Sequence, residues 1–230
     1  MLTQIKNSHA AMRFLPLFAY MVVMLGQGRL GPASLFWVYA LKMAVGACVL
    51  AWVWPHIREL RWSLNIPSLL VGTGVFAIWV GLEGYYPTLT EVFSHKNPSA
   101  ESDPVWNPFT FFSGSPGWAW FYVGIRIVGT MLVVPPIEEA FYRSLIYRAI
   151  ASPDFERFPL SHFSAKAFVL TSLVFGLMHP NQWVAGILCG LAYQGLVLRC
   201  GHLGEAVAAH AVTNLLLGIW VVWKGAWHFW

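Results

Sequence analysis

Hydrophobic positions run almost unbroken through seven stretches of this chain: Met12–Leu25, Leu35–Trp54, Ile66–Leu82, Gly117–Ile150, Ala165–His179, Trp183–Leu198 and Ala206–Val222. Short polar or proline-rich links separate them. A helix that crosses a bilayer takes about 20 apolar residues, and most of these stretches approach that length. The pattern predicts an all-α polytopic membrane protein, a bundle of about seven transmembrane helices. No repeat of fixed period is visible. The aromatic-rich and proline-rich stretch 83–116 divides a front part, residues 1–116, from a helical core, residues 117–230, within one integral membrane unit. That stretch reads as an outer loop, an interfacial flap.

Composition agrees with the pattern. Hydrophobic residues make up 57% of the 230, charged residues 10%, and the mean hydropathy is +0.59, outside the soluble range. The net charge of +4 comes without a basic run, so nucleic acid is excluded as a partner and the arginines are assigned to topology. Arg58 and Arg61 follow the second stretch, and Arg143, Arg148, Arg157 and Lys166 follow or end the fourth, whereas the outer loop carries Glu83, Glu91, Glu101 and Asp103. The positive-inside rule then places the N-terminus in the cytoplasm. Lys6 and Arg13, before the apolar run "LPLFAYMVVML", also suit a cleaved leader, but the further spans favour an uncleaved one. Three cysteines, Cys48, Cys189 and Cys200, show no metal or disulfide spacing and are expected to pack. Tryptophans cluster near the span ends, as in an aromatic belt.

Polar groups inside apolar stretches are costly and mark sites, partners or helix contacts. In Pro135–Arg148, Glu139 and Arg143 are four residues apart and are expected to pair on one helical face. Glu138 then points about a quarter-turn away. His179 closes the fifth stretch, four residues after Phe175, and His210 and Asn214 share a face of the seventh. With a rise of 1.5 Å per residue, Glu138 lies about 15 Å above the inner end of its helix, His179 about 20 Å, and His210 and Asn214 about 6 to 12 Å. The four meet only if the fourth stretch is a single helix kinked at Pro135 and Pro136. An intramembrane polar site of this kind holds water or zinc for a carboxylate base, and peptide hydrolysis uses all four groups. Each motif also has a plain reading as membrane-flanking charge or as polar glue between helices.

Other polar residues are assigned away from the chemistry. His9, His56, His95, His162, His202 and His228 are read as surface residues. Lys42 is expected to snorkel, and Arg126 to pair with an acid such as Glu83, the alternative being that both line a polar entrance. Gly186–Gly190, "GILCG", has the small-xxx-small spacing of close helix packing.

"EEAFYR", "FGLMH" and "HAVTN" resemble the three ordered motifs, EExxxR, FxxxH and HxxxN, of the CAAX prenyl protease and bacteriocin-processing family of intramembrane endopeptidases. The resemblance covers about Gly117 to Val222. It implies that Glu138 activates water, that Glu139 and Arg143 are its structural partners, and that His179, His210 and Asn214 position water or hold a metal. Asn214 is implied as the oxyanion donor or final ligand. A zinc ion is the implied cofactor, and a metal-free glutamate mechanism is the alternative. The implied partners are the lipid bilayer and a membrane-associated or lipidated protein or peptide substrate, and the implied location is a bacterial inner membrane. Two other functions compete: a catalytically silent scaffold or immunity protein, and a proton-coupled transporter, against which the missing repeat of two halves counts.

Overall fold

Helix ends follow local side-chain chemistry. The Ser8 hydroxyl accepts from Ala11 N at 3.3 Å, Asn65 and Ser68 cap each other's backbone N–H groups, and the Ser164 hydroxyl accepts from Ala167 N. Two helices end on glycines in the left-handed region, Gly201 (φ 71°) and Gly225 (φ 65°), where a side chain would be strained. The computed structural model describes residues 8–93 and 105–230, so His95, Glu101 and Asp103 lie outside it.

Seven apolar helices longer than ten residues occur among the described residues: α1 (His9–Met24), α2 (Ser34–Val53), α3 (Ile66–Gly81), α4 (Pro116–Ala151), α5 (Ala165–Leu177), α6 (Trp183–Cys200) and α7 (Gly204–Lys224). No strand occurs among the described residues. The seven expected stretches are all helical, but only α2, α4, α6 and α7 are long and apolar enough to cross a membrane. Helices α1, α3 and α5 have 16, 16 and 13 residues, short of the length a full hydrocarbon core requires. Phe14 and Phe18 on α1, Leu69 and Leu70 on α3, and Val169, Leu170 and Val174 on α5 all face outward, an arrangement stable against lipid and not against water. The chain is an integral membrane protein.

Pro135 and Pro136 do not turn the chain. Val133 keeps helical angles (φ −100°, ψ −47°) and donates to Gly129 O, and the prolines enter at the start of the next helical segment, where their missing N–H groups are tolerated. Helix α4 therefore runs 36 residues. It is not α-helical throughout: Ala140–Ile146 forms a π segment, a wider turn that the sequence pattern did not predict.

Close packing between helices fixes the frame. A Cβ on Gly190 would meet Ser172 Cα at 2.8 Å, and one on Gly186 would meet Gly176 Cα at 2.9 Å, so α5 and α6 touch backbone to backbone as the small-residue spacing predicts. Thr213 on α7 donates to Gly72 O on α3 and accepts from the Tyr193 hydroxyl of α6, joining three helices with one side chain. Of the cysteines, Cys189 is buried and packs as expected, but Cys48 is exposed on the outer face of α2. The beginning of the outer loop folds back onto the α5–α6 turn, where Leu89 N donates to Pro180 O and Trp183 Nε1 to Pro87 O.

Candidate active site

The uninterrupted α4 brings Glu138 level with the far end of α5 and the middle of α7. Glu138, His179, His210 and Asn214 line one cavity of about 290 Å³. Every helix contributes to it, including Tyr20 of α1, Lys42 of α2 and Trp79 of α3, so its wall is not confined to the back half of the chain.

Glu139 faces away from the cavity, as the helical step from Glu138 requires. Its carboxylate is fully buried, 3.2 Å from Arg143 Nε through Oε2 and 3.0 Å from His210 Nδ1 through Oε1. The first contact is local; the second joins residues 71 apart in sequence. Because a carboxylate only accepts, His210 Nδ1 carries a proton, and in the neutral imidazole Nε2 then turns its lone pair toward Glu138, whose Oε2 is 3.9 Å away. That Oε2 is buried and has no hydrogen-bond partner among the described residues. A separation of this size between two acceptors suits a bridging water.

His179 is set up in the same way by its own helix. Its Nδ1 lies 2.8 Å from Phe175 O, the carbonyl one turn earlier, so Nδ1 donates and Nε2 is unengaged. Trp79 stands edge-on to the ring at 5.4 Å. His210 stacks on Tyr193 at 5.1 Å, which fixes its plane. Asn214, one turn after His210, donates one amide hydrogen to Thr130 O at 2.7 Å and keeps the other, together with Oδ1, for the cavity. The inward atoms of Glu138, His179 and His210 are all acceptors, and Asn214 offers one of each kind.

The donor chemistry of two bare imidazole nitrogens and an amide oxygen would suit zinc. Among the described residues no three His, Cys, Asp or Glu side chains are grouped as a metal site, so any ion here would draw on Asn214 beside His179 and His210.

Several assignments made from sequence change here. Arg126 does not pair with Glu83, which contacts His228 instead; its guanidinium lies over the rings of Tyr39, Trp106 and Trp230. Lys42 does not snorkel: it is 6% exposed, with Nζ over the Tyr39 and Tyr20 rings. Both line the cavity, because aromatic faces draw them inward. Arg13 and Arg148 share a partner that the sequence did not indicate: both donate to Glu59 Oε1, at 2.6 and 2.7 Å. His9, His56, His162 and His228 are exposed as expected, while His202 is half-buried and accepts from Gly204 N. Tyr20, Tyr39 and Trp79 went unremarked, because nothing in the pattern distinguishes an aromatic that faces a cavity from one that faces lipid.

No curated protein and no solved structure matches the chain. Residues 119–216 match the family model described as type II CAAX prenyl endopeptidase Rce1-like. The match begins in α4, ends in α7, and contains all six motif residues, Glu138, Glu139, Arg143, His179, His210 and Asn214. Over residues 119–216 this integral membrane chain is similar to the Rce1-like type II CAAX prenyl endopeptidases.

Proposed function

We propose that the chain is an intramembrane endopeptidase that hydrolyses a peptide bond of a membrane-associated or lipidated protein, with Glu138 as the base. The observation that carries the reading is the pair formed by the unpartnered Glu138 Oε2 and His210 Nε2, 3.9 Å apart on the cavity wall. A water between them donates one hydrogen to each. Glu138 takes its proton as the water oxygen attacks the scissile carbonyl carbon, and the carbonyl oxygen becomes an oxyanion. The free amide hydrogen of Asn214 stabilises that oxyanion. When the C–N bond breaks, Glu138 returns the proton to the leaving nitrogen, giving a carboxylate and an amine. His179 Nε2, on the same wall, holds the substrate backbone or the water in line. Arg143 and Glu139 act behind His210, keeping its proton on Nδ1. No step is routed through a metal ion.

The test compares protein termini in membranes from cells that make the wild type and cells that make Glu138→Gln at matched levels. New termini confined to the wild type are expected. Identical termini, with the variant still rescuing a deletion phenotype, would replace the hydrolytic reading with a scaffold. A chelator arm reports on zinc. Cleavage that falls and is restored by zinc adds an ion held by His179, His210 and Asn214, and cleavage that persists leaves the water to the side chains alone.

A further inference from the structure

The cavity has two chemically opposite ends. Around Glu138 its polar atoms are mainly acceptors. Around Tyr39 they are mainly donors: Lys42 Nζ lies 4.5 Å and Arg126 Cζ 4.7 Å from the Tyr39 ring centre. Arg126 Nε and the Tyr39 hydroxyl are buried with no hydrogen-bond partner among the described residues. Neither cation has a carboxylate of the described residues within salt-bridge distance, and Lys42 is 94% removed from the surface.

Two basic groups against one tyrosine ring at membrane depth, with no acidic partner among the described residues, lose hydration, and the faces of Tyr20, Tyr39 and Trp106 offset only part of that cost. The arrangement is unfavourable for an empty cavity and favourable for one that receives an anion. Guanidinium, ammonium and phenol together present the fork and point donors that a carboxylate accepts. Because the same cavity holds Glu138, the anion is one the peptide brings with it.

We infer that Lys42, Arg126 and Tyr39 form a carboxylate-binding subsite that anchors the substrate peptide, a role that rests on the endopeptidase reading above. Arg126 precedes Glu138 by twelve residues on one helix, about 18 Å of rise, and the arginine side chain shortens that span. At about 3.3 Å per extended residue, the anchored carboxylate lies within roughly three to five residues of the bond that is cut. It is either a free α-carboxylate at the peptide end or an acidic side chain at that distance.

The test separates binding from cleavage by using the Glu138→Gln protein in liposomes. The probes are N-acetyl-trileucine as free acid and as amide, and N-acetyl-Leu-Glu-Leu-amide against its Gln counterpart, each scored by dissociation constant and by shift of the melting temperature. A preference of at least tenfold for a carboxylate-bearing probe is expected, lost in Lys42→Met and in Arg126→Met. A preference for the free acid assigns the subsite to a peptide end, and a preference for Glu over Gln assigns it to a side chain. Both variants should melt no lower than the parent, because each removes an uncompensated buried cation. Equal binding of acid and amide, and of Glu and Gln, overturns the subsite, as does a preference that survives both substitutions. The endopeptidase reading fails separately, by wild-type cleavage that Glu138→Gln leaves intact.

Discussion

Arg143 is fully buried, and its guanidinium nitrogens have no hydrogen-bond partner among the described residues. It is stabilised by Glu139 at 3.2 Å and by the Phe175 ring, 4.3 Å below its Cζ. The pair thus compensates charge for charge while Glu139 spends its other oxygen on His210. Arg143→Met strands a buried carboxylate, and a loss of about 3 to 5 kcal/mol in unfolding free energy is expected. The double variant Glu139→Gln/Arg143→Met should lose clearly less, because no charge is left uncompensated. Denaturant titration in detergent checks this, and equal losses would contradict the pairing. The Glu139–Arg143 contact was legible in the sequence because it follows from helical spacing alone. The Glu139–His210 contact was not, since it depends on how α7 packs against α4. The inward turn of Lys42 was only half legible: Tyr39 is three residues earlier on the same helix, but Tyr20 is on another.

Among the elements, α5 and α6 are pressed together at Gly176, Gly186 and Gly190, and His179 follows directly from the end of α5. Gly190→Leu has no space, as its Cβ alone meets Ser172 Cα at 2.8 Å. Separation of the helices should cost about 1 to 3 kcal/mol and carry His179 out of line, lowering both melting temperature and cleavage. Gly195→Ala, with nothing within 4 Å of the new Cβ, should change neither by comparison. If Gly190→Leu matched Gly195→Ala in both readouts, the close approach would not position the site. Hydrophobic runs located all seven helices, and the "GILCG" spacing marked this contact, because both signals are local. The π segment of Ala140–Ile146 left no such signal, since a widened turn has no composition of its own.

At the scale of the whole molecule, Glu59 ties the front helices to the site helix. Its Oε1 receives Arg13 of α1, Arg148 of α4 and the Ser144 hydroxyl, joining residues 46, 85 and 89 apart in sequence. Burial acts to raise the Glu59 carboxyl, but the Arg13 charge and the hydrogen bonds from Ser144 and Arg13 override it and hold it at about 2, below the ordinary 4.5. A carboxyl lowered on folding stabilises the fold above its unfolded value and loses that contribution as pH falls toward its folded value. Stability should therefore be steady above pH 4.5 and drop by on the order of 3 kcal/mol between 4.5 and about 2. Glu59→Gln should flatten that limb of a melting curve measured against pH, and an unchanged limb would assign the acid sensitivity elsewhere. None of this network was readable from the chain, because its members lie 46 to 89 residues apart and meet only through the packing of α1 against α4.

The central claim is that Glu138 activates the hydrolytic water. The most direct measurement is single-turnover cleavage, in liposomes, of a peptide spanning a cut site found by the comparison of termini, by the purified wild type and Glu138→Gln side by side. The account predicts a rate loss of about 10²- to 10⁴-fold, with melting temperature and peptide affinity preserved. Cleavage by Glu138→Gln within a few-fold of wild type would contradict it.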